Sequence, residues 1–226
     1  MNLFAEFWAW IGRPEQWEGP AGIPVRFAEH VGYSALALGI SALIGVSLGL
    51  LTGHTGRGGF LAASLANVAR ALPTIGVLFL VVLFTGIGIV PVLAALVALA
   101  VPPILVNTYE GVRGVDADLK DAARGMGMRG WTVLWRLEVP VALPLILLGL
   151  RTAAIQVVAT ATIAAYVGIG GLGRYIVDGQ ARREYDMVVG GSVLVVLLAL
   201  AVAVLFLLLR RYGVSAGLRR RGSGVA

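Results

Sequence analysis

Residues 121–140 read Asp121-Ala122-Ala123-Arg124-Gly125-Met126-Gly127-Met128-Arg129-Gly130-Trp131-Thr132-Val133-Leu134-Trp135-Arg136-Leu137-Glu138-Val139-Pro140. The stretch is charged, yet partly apolar through Met126, Met128, Trp131, Val133, Leu134 and Trp135. The small residues Ala122, Ala123, Gly125 and Gly127 stand beside those bulky ones. Small residues let backbones approach closely, as at packed helix interfaces. Apolar surface in a loop marks a partner site. The competing reading is an amphipathic helix lying on a bilayer with its arginines outward.

What flanks this stretch is strongly apolar. Val31–Gly53 carries no charge, nor does Ala71–Tyr109, and Val139–Gly173 carries only Arg151. Met187–Leu209 is again free of charge. A membrane crossing needs about 20 such residues at about 1.5 Å each. Ala71–Tyr109 is long enough for two crossings, and Thr85-Gly86-Ile87-Gly88-Ile89-Val90-Pro91 in its middle is a Gly/Pro turn signal. The expectation is an all-α membrane protein with five crossings. Composition agrees: hydrophobic residues are 58% of the chain and charged residues 13%, against roughly 45–50% and 25% in soluble domains. Mean hydropathy is +0.89.

Orientation follows from the basic residues. One side holds Arg57; Arg113, Lys120, Arg124, Arg129 and Arg136; and Arg210, Arg211, Arg219, Arg220 and Arg221. The other holds Arg13, Arg26, Arg174, Arg182 and Arg183. Cytoplasmic loops accumulate Lys and Arg, so the richer side is expected inside. The N-terminus is then outside and the C-terminus inside. The expected organisation is an extracytoplasmic or interfacial segment over 1–28, a transmembrane region over 29–211 with a cytoplasmic loop at about 110–138, and a basic cytoplasmic tail over 212–226. The high pI of about 10.3 is read as this orientation signal and not as a nucleic-acid surface. The first residues lack the basic start of a secretory signal. Phe4, Phe7, Trp8, Trp10 and Trp17 form an aromatic cluster suited to an interfacial anchor.

Several chemistries are absent from the sequence. There is no cysteine, hence no thiolate metal site or cysteine nucleophile. His30 and His54 are read as interfacial or loop residues. The single lysine, Lys120, precedes Asp121 and lies outside any G-x-x-x-x-G-K-[ST] phosphate loop. The five expected spans hold no carboxylate of the kind that ion-driven carriers place in the membrane. Gly168-Ile169-Gly170-Gly171-Leu172-Gly173 matches a dinucleotide fingerprint literally, but an apolar span precedes it, so a tight glycine turn is the expectation. Intramembrane hydrolase sites are missing too.

Polar groups inside a span are functional candidates. Thr152, Gln156 and Thr160 recur at i, i+4 and i+8 on one helical face. They are candidates for a translocation path; the alternative is bonding within their own helix or helix packing. Arg151 is the one charge inside a span, and a structural role is favoured for it, by reaching the cytoplasmic interface or by bonding carbonyls at an expected Pro102-Pro103 break in the third helix. Gly45 and Gly49 form a small-xxx-small pair suited to helix packing.

The segment from Asp121 to Pro140 resembles the cytoplasmic EAA loop of ABC importer permeases: E-A-A, three residues, G, nine residues, then I-x-L-P. Asp121, Ala122, Ala123, Gly127 and Pro140 fall at the matching positions, with Asp for Glu, Leu137 for Ile and Val139 for Leu. Asn107-Thr108-Tyr109-Glu110-Gly111-Val112, Gly149-Leu150-Arg151-Thr152-Ala153 and Ala161-Thr162-Ile163-Ala164-Ala165 look like the osmoprotectant branch of that family. The resemblance implies the five-helix core of type I importers in a bacterial inner membrane. It implies import of glycine betaine, choline, carnitine or related compounds. Asp121, Ala122, Ala123, Gly125, Gly127 and Pro140 would form the coupling loop, whose short helix docks on a separate ATPase subunit. Gly127 would end or kink that helix, and Pro140 would start the fourth span. Other implied partners are an extracytoplasmic binding protein, a second copy or a paralogous permease, and membrane lipid. Nothing implies nucleic acid, a catalytic residue, a metal or a cofactor on this chain; ATP and Mg would sit on the partner.

Overall fold

The structure, a computed structural model, describes residues 3–60, 64 and 73–213. Among them every regular element is helical. A short helix α1 (Leu3–Ile11) precedes α2 (Ile23–Thr55), α3 (Thr74–Thr85), α4 (Ile89–Arg113) and α5 (Ala117–Gly125). Then come α6 (Gly130–Val167), α7 (Gly173–Arg182) and α8 (Tyr185–Gly213). Among the described residues α2, α4, α6 and α8 are long and apolar enough to cross a membrane. The turn expected in the middle of Ala71–Tyr109 is present, with Gly86 at φ +78 ending α3. α3 itself is 12 residues, shorter than a crossing, and the stretch before Pro73 lies outside the described residues.

The chain divides into two compact units. One comprises Met1–Gly39, Leu72–Leu99 and Ala154–Val202. Its core joins Trp10, Ile23, Val158, Leu172, Tyr175, Val195 and Leu198. Trp10 meets Tyr175 edge to face at 5.1 Å, and Gly190 lies so close under the indole that a Cβ there would enter the ring. The aromatic cluster near the N-terminus is therefore split: Trp10 is 1% exposed and belongs to the core, while Trp8 and Trp17 are about half exposed.

The other unit comprises Ile40–Ala71, Ala100–Ala153 and Ala203–Ala226. Its core joins Leu50, Val112, Leu134, Ala142 and Ile146. Here α2 and α4 pack through a glycine ladder. Gly45 faces Ile104, Gly49 faces Thr108 and Gly53 faces Val112, and an added Cβ would come within 2.9, 2.5 and 2.8 Å of the facing Cβ. Both numbers rise together, so the two helices run in the same direction. α6 runs against α4, because Gly111 faces Ala142 and Leu145 while Gly149 faces Pro103, Ile104 and Asn107. Lipid tails are as apolar as leucine, so close backbone approach through small residues carries much of such packing.

One sequence expectation about proline is corrected: α4 continues through Pro102 and Pro103 without a break. Pro140 does stand in the first turn of the α-helical stretch Val139–Thr160, but the helical run that contains it begins ten residues earlier, at Gly130. A π turn over Leu134–Glu138 lies immediately ahead of the proline. Such turns admit a residue that cannot continue the regular ladder, and this one lets a single helix carry both segments.

Candidate functional site

α5 lies between α4 and α6 in the chain. Asp116 caps its start, its carboxylate accepting from the Asp118 N–H at 2.9 Å. Its end is built around Gly127, at φ +83. The Met128 N–H donates to the Ala123 carbonyl and the Gly127 N–H to the Arg124 carbonyl, at 3.1 and 2.9 Å. That is a Schellman ending, which asks for a residue in the left-handed region, and glycine supplies it without strain. Of the two roles the resemblance implied for Gly127, ending or kinking the helix, the structure shows the ending.

The faces of α5 differ sharply. Ala123 is buried within its own chain, while Asp121, Ala122 and Gly125 are exposed. Asp121 and Arg124 pair at 3.4 Å with both side chains mostly in solvent, a contact of little energetic weight. Large apolar side chains of α5 and the start of α6 are exposed as well. Leu119 is 41% exposed, Met126 72%, Trp131 69% and Trp135 50%. The two tryptophans stack edge to face at 6.1 Å.

Underneath, Lys120 points inward. Its ammonium donates to the Val112 carbonyl at 3.1 Å, near the end of α4, and pairs with Glu138 Oε1 at 3.2 Å. The other Glu138 oxygen, Oε2, accepts from His54 Nδ1 at 2.5 Å. Glu138 is 1% exposed. An ionised carboxylate is acceptor-only, so this geometry places the imidazole proton on Nδ1. Sequence reasoning missed the cluster. Its members lie far apart in the chain, Lys120 read as a loop charge, and Glu138 read as the last residue before a span. The available signal was a lone acid in Leu137-Glu138-Val139-Pro140, next to an apolar run.

Of the candidate path residues, Thr152 back-bonds to the Leu148 carbonyl at 2.9 Å. Gln156 is exposed and Thr160 partly so. Thr160 is where the α-helical part of α6 gives way to a 3₁₀ turn over Ala161–Val167. Arg151 is partly buried beside a small cavity with Leu147, Leu148, Phe206, Leu207 and Arg210.

The glycine run after α6 is a tight turn, with Gly168 at φ +73 and Gly171 at φ +93. It is held by α2. Glu29 accepts from the Gly171 N–H at 2.7 Å and pairs with Arg26 at 3.0 Å. The Tyr33 hydroxyl lies 3.1 Å from His30 Nδ1, and His30 Nε2 donates to the Val158 carbonyl at 3.0 Å. Side chains at Gly170 or Gly171 would collide with Glu29 or Tyr33. His30 is thus a buried core residue and not a loop residue.

Residues 42–215 match the family described as the binding-protein-dependent transport system inner membrane component. The chain belongs to this family. It is a permease component of a binding-protein-dependent ABC importer and a multi-pass protein of the inner membrane. The permease is 34% identical over 177 residues to the glycine betaine/carnitine/choline transport system permease protein OpuCB of Bacillus subtilis (strain 168), covering 78% of this chain and 82% of that one. It is 37% identical over 172 residues to the carnitine transport permease protein OpuCB of Listeria monocytogenes, covering 76% and 78%. The permease shares its fold with a chain of the inward-facing MetNI methionine ABC transporter, with a TM-score of 0.71, 22% identity, and coverage of 83% and 94%. Membership implies that ATP is hydrolysed on a partner chain and that a substrate-binding protein works with this one.

Proposed function

We propose that this permease imports osmoprotectants of the glycine betaine, choline and carnitine class, and that α5 is the coupling helix that docks on a separate ATPase subunit. The observation that carries the coupling role is the exposed apolar surface of Ala122, Met126, Trp131 and Trp135, held at the junction of two long helices. Apolar patches of that kind serve as protein contact sites. Asp121, Ala122, Gly125 and Gly127 contribute the docking side. Ala123 and Pro140 act behind it, one by packing and one within α6. The cargo class rests on the printed activities of the relatives.

The proposed topology has five crossings, with the N-terminus outside and the C-terminus inside. The parallel run of α2 and α4 supports it, because two successive spans can point the same way only if the chain between them returns across the membrane. The excess of basic residues around α5 and beyond α8 supports the orientation. A second copy or a paralogous permease completes the path, and an extracytoplasmic binding protein delivers cargo. Thr152, Gln156 and Thr160 face the path, and Arg151 holds a structural position beside α8. No cofactor is held on this chain; ATP and Mg are held by the partner.

The experiment is uptake of radiolabelled glycine betaine, choline and carnitine by cells with and without the permease, with the binding protein present. ATP-dependent uptake of at least one of the three should be lost with the permease. Uptake of none of them, from a complex that still hydrolyses ATP, would remove the cargo assignment and leave the coupling role to stand alone.

A further inference from the structure

A push on α5 is useful only if the long helices move with it. By itself α5 is poorly suited to transmit force. It has nine residues, and isolated helices of that length do not persist in water. Its connections run through Gly114 on one side and through Gly127, at φ +83, on the other.

What ties α5 down is the buried cluster beneath it. Lys120 sits one turn before the buried Ala123 and is partly buried, whereas Asp121 and Arg124 are exposed. Its ammonium reaches the Val112 carbonyl near the end of α4 and Glu138 Oε1 in the π turn of α6. Glu138 Oε2 holds His54, in the last turn of α2. Three helices therefore meet on one carboxylate that is 1% exposed, and α4 joins them through the Lys120 ammonium. Water cannot replace a partner there without opening the junction, so sliding α5 away would leave a buried charge unpaired. The carboxylate belongs to a π turn, a feature found often at functional sites.

We infer that Lys120, Glu138 and His54 are positioning residues for transport, a buried latch that makes α5, the ends of α2 and α4 and the start of α6 move as one body when the ATPase closes. This rests on the docking role proposed for α5, but the latch and the docking face are made by different residues and can be tested apart. Loss of the latch should spare ATPase binding, since Ala122, Met126 and Trp131 are untouched. It should waste the ATPase stroke.

The test uses the assembled importer, with the permease co-expressed with its ATPase and binding protein. The chain lacks cysteine, so spin labels at Arg124→Cys and Arg136→Cys, both exposed, report the distance from α5 to the π turn. With the latch intact the distance distribution should be narrow and the same with and without non-hydrolysable ATP. Lys120→Met should broaden it or shift it with nucleotide, while ATPase recovery stays near wild type. Uptake per ATP hydrolysed should fall roughly tenfold or more. Lys120→Arg, which keeps the charge and the donors, should restore both. If Lys120→Met accumulates poorly, Glu138→Gln is read in the same way, since it removes the charge at nearly constant shape. A narrow, nucleotide-independent distribution in these variants would overturn the latch, as would wild-type uptake per ATP. Failure of the docking reading looks different: Ala122→Trp would then leave ATPase recovery unchanged, whatever the spin labels report.

Discussion

Ala122 and Ala123 are neighbours in the sequence and opposites in the structure, which separates docking from folding within one helix. Ala122 is exposed; Ala123 is 4% exposed. Replacing Ala122 by Trp adds bulk on the outer face without disturbing any packing within the chain. If that face is pressed against the ATPase, overpacking a close contact costs about 1–3 kcal/mol. At about 1.4 kcal/mol per factor of ten, ATPase affinity should fall roughly 5- to 150-fold while the chain keeps its abundance and melting temperature. Replacing Ala123 by Arg is a different perturbation. A guanidinium forced into that position carries an effective penalty of several kcal/mol, a large part of the ~5–15 kcal/mol that holds a typical protein folded. Ala123→Arg should therefore lower abundance and thermal midpoint, with ATPase loss as a consequence. Gly127→Trp is a poor reporter of either effect, because φ +83 makes any side chain there strain the helix end. The assay is co-purification of the ATPase with each variant at matched expression, alongside melting in detergent. Normal ATPase recovery with Ala122→Trp would refute the docking face, and a fully stable Ala123→Arg would refute its burial.

Other variants address the framework. Gly49→Val should wedge α2 from α4, since its Cβ lies 2.5 Å from the Thr108 Cβ; a destabilisation of about 1–3 kcal/mol would appear as a lower thermal midpoint. Gly39→Ala, with open space around it, should cause no such fall. Gly171→Ala should destabilise the turn after α6, because the position combines φ +93 with a Tyr33 collision, and tryptic cleavage after Arg174 is the readout. For topology, single cysteines at Asp121 and Arg182 should differ in intact cells. A membrane-impermeant reagent should label position 182 and leave position 121 unmodified; the reverse pattern would invert the proposed orientation.

The membrane class and most helix positions could be read from composition and runs of apolar residues, because a span must be apolar along its whole length. The turn at Gly86–Gly88 was legible for a local reason: a positive φ calls for glycine, and a glycine pair followed by Pro91 supplies that freedom where an apolar run is too long for one crossing. The glycine run at Gly168–Gly173 was legible in the same way, whereas the packing role of Gly45 and Gly49 came from their small-xxx-small spacing and the helix end at Gly127 from the family resemblance. Proline misled at Pro102-Pro103, where the helix continues. Pro140 does open the α-helical stretch Val139–Thr160, but a π turn joins that stretch to the helix before it. The orientation of α5 was not legible, because Ala122 and Ala123 are chemically identical and only the packed helix distinguishes them. Nor was the latch. Lys120 and His54 looked like loop polar groups, and Glu138 looked like a span boundary, since charge alone does not tell a solvated side chain from one buried against a partner 84 residues away.

Coupling through α5 requires that its outer face touch the ATPase. Site-directed cross-linking reads that contact, since single cysteines can be placed in a chain that has none. With the ATPase bound, cysteines at Ala122 and at Met126 should each give a cross-linked permease–ATPase product with a short bifunctional thiol–amine reagent, and a cysteine at Arg182 should give none. A product from position 182 with none from 122 or 126 would put the ATPase on the opposite side of the membrane from α5 and end the coupling role.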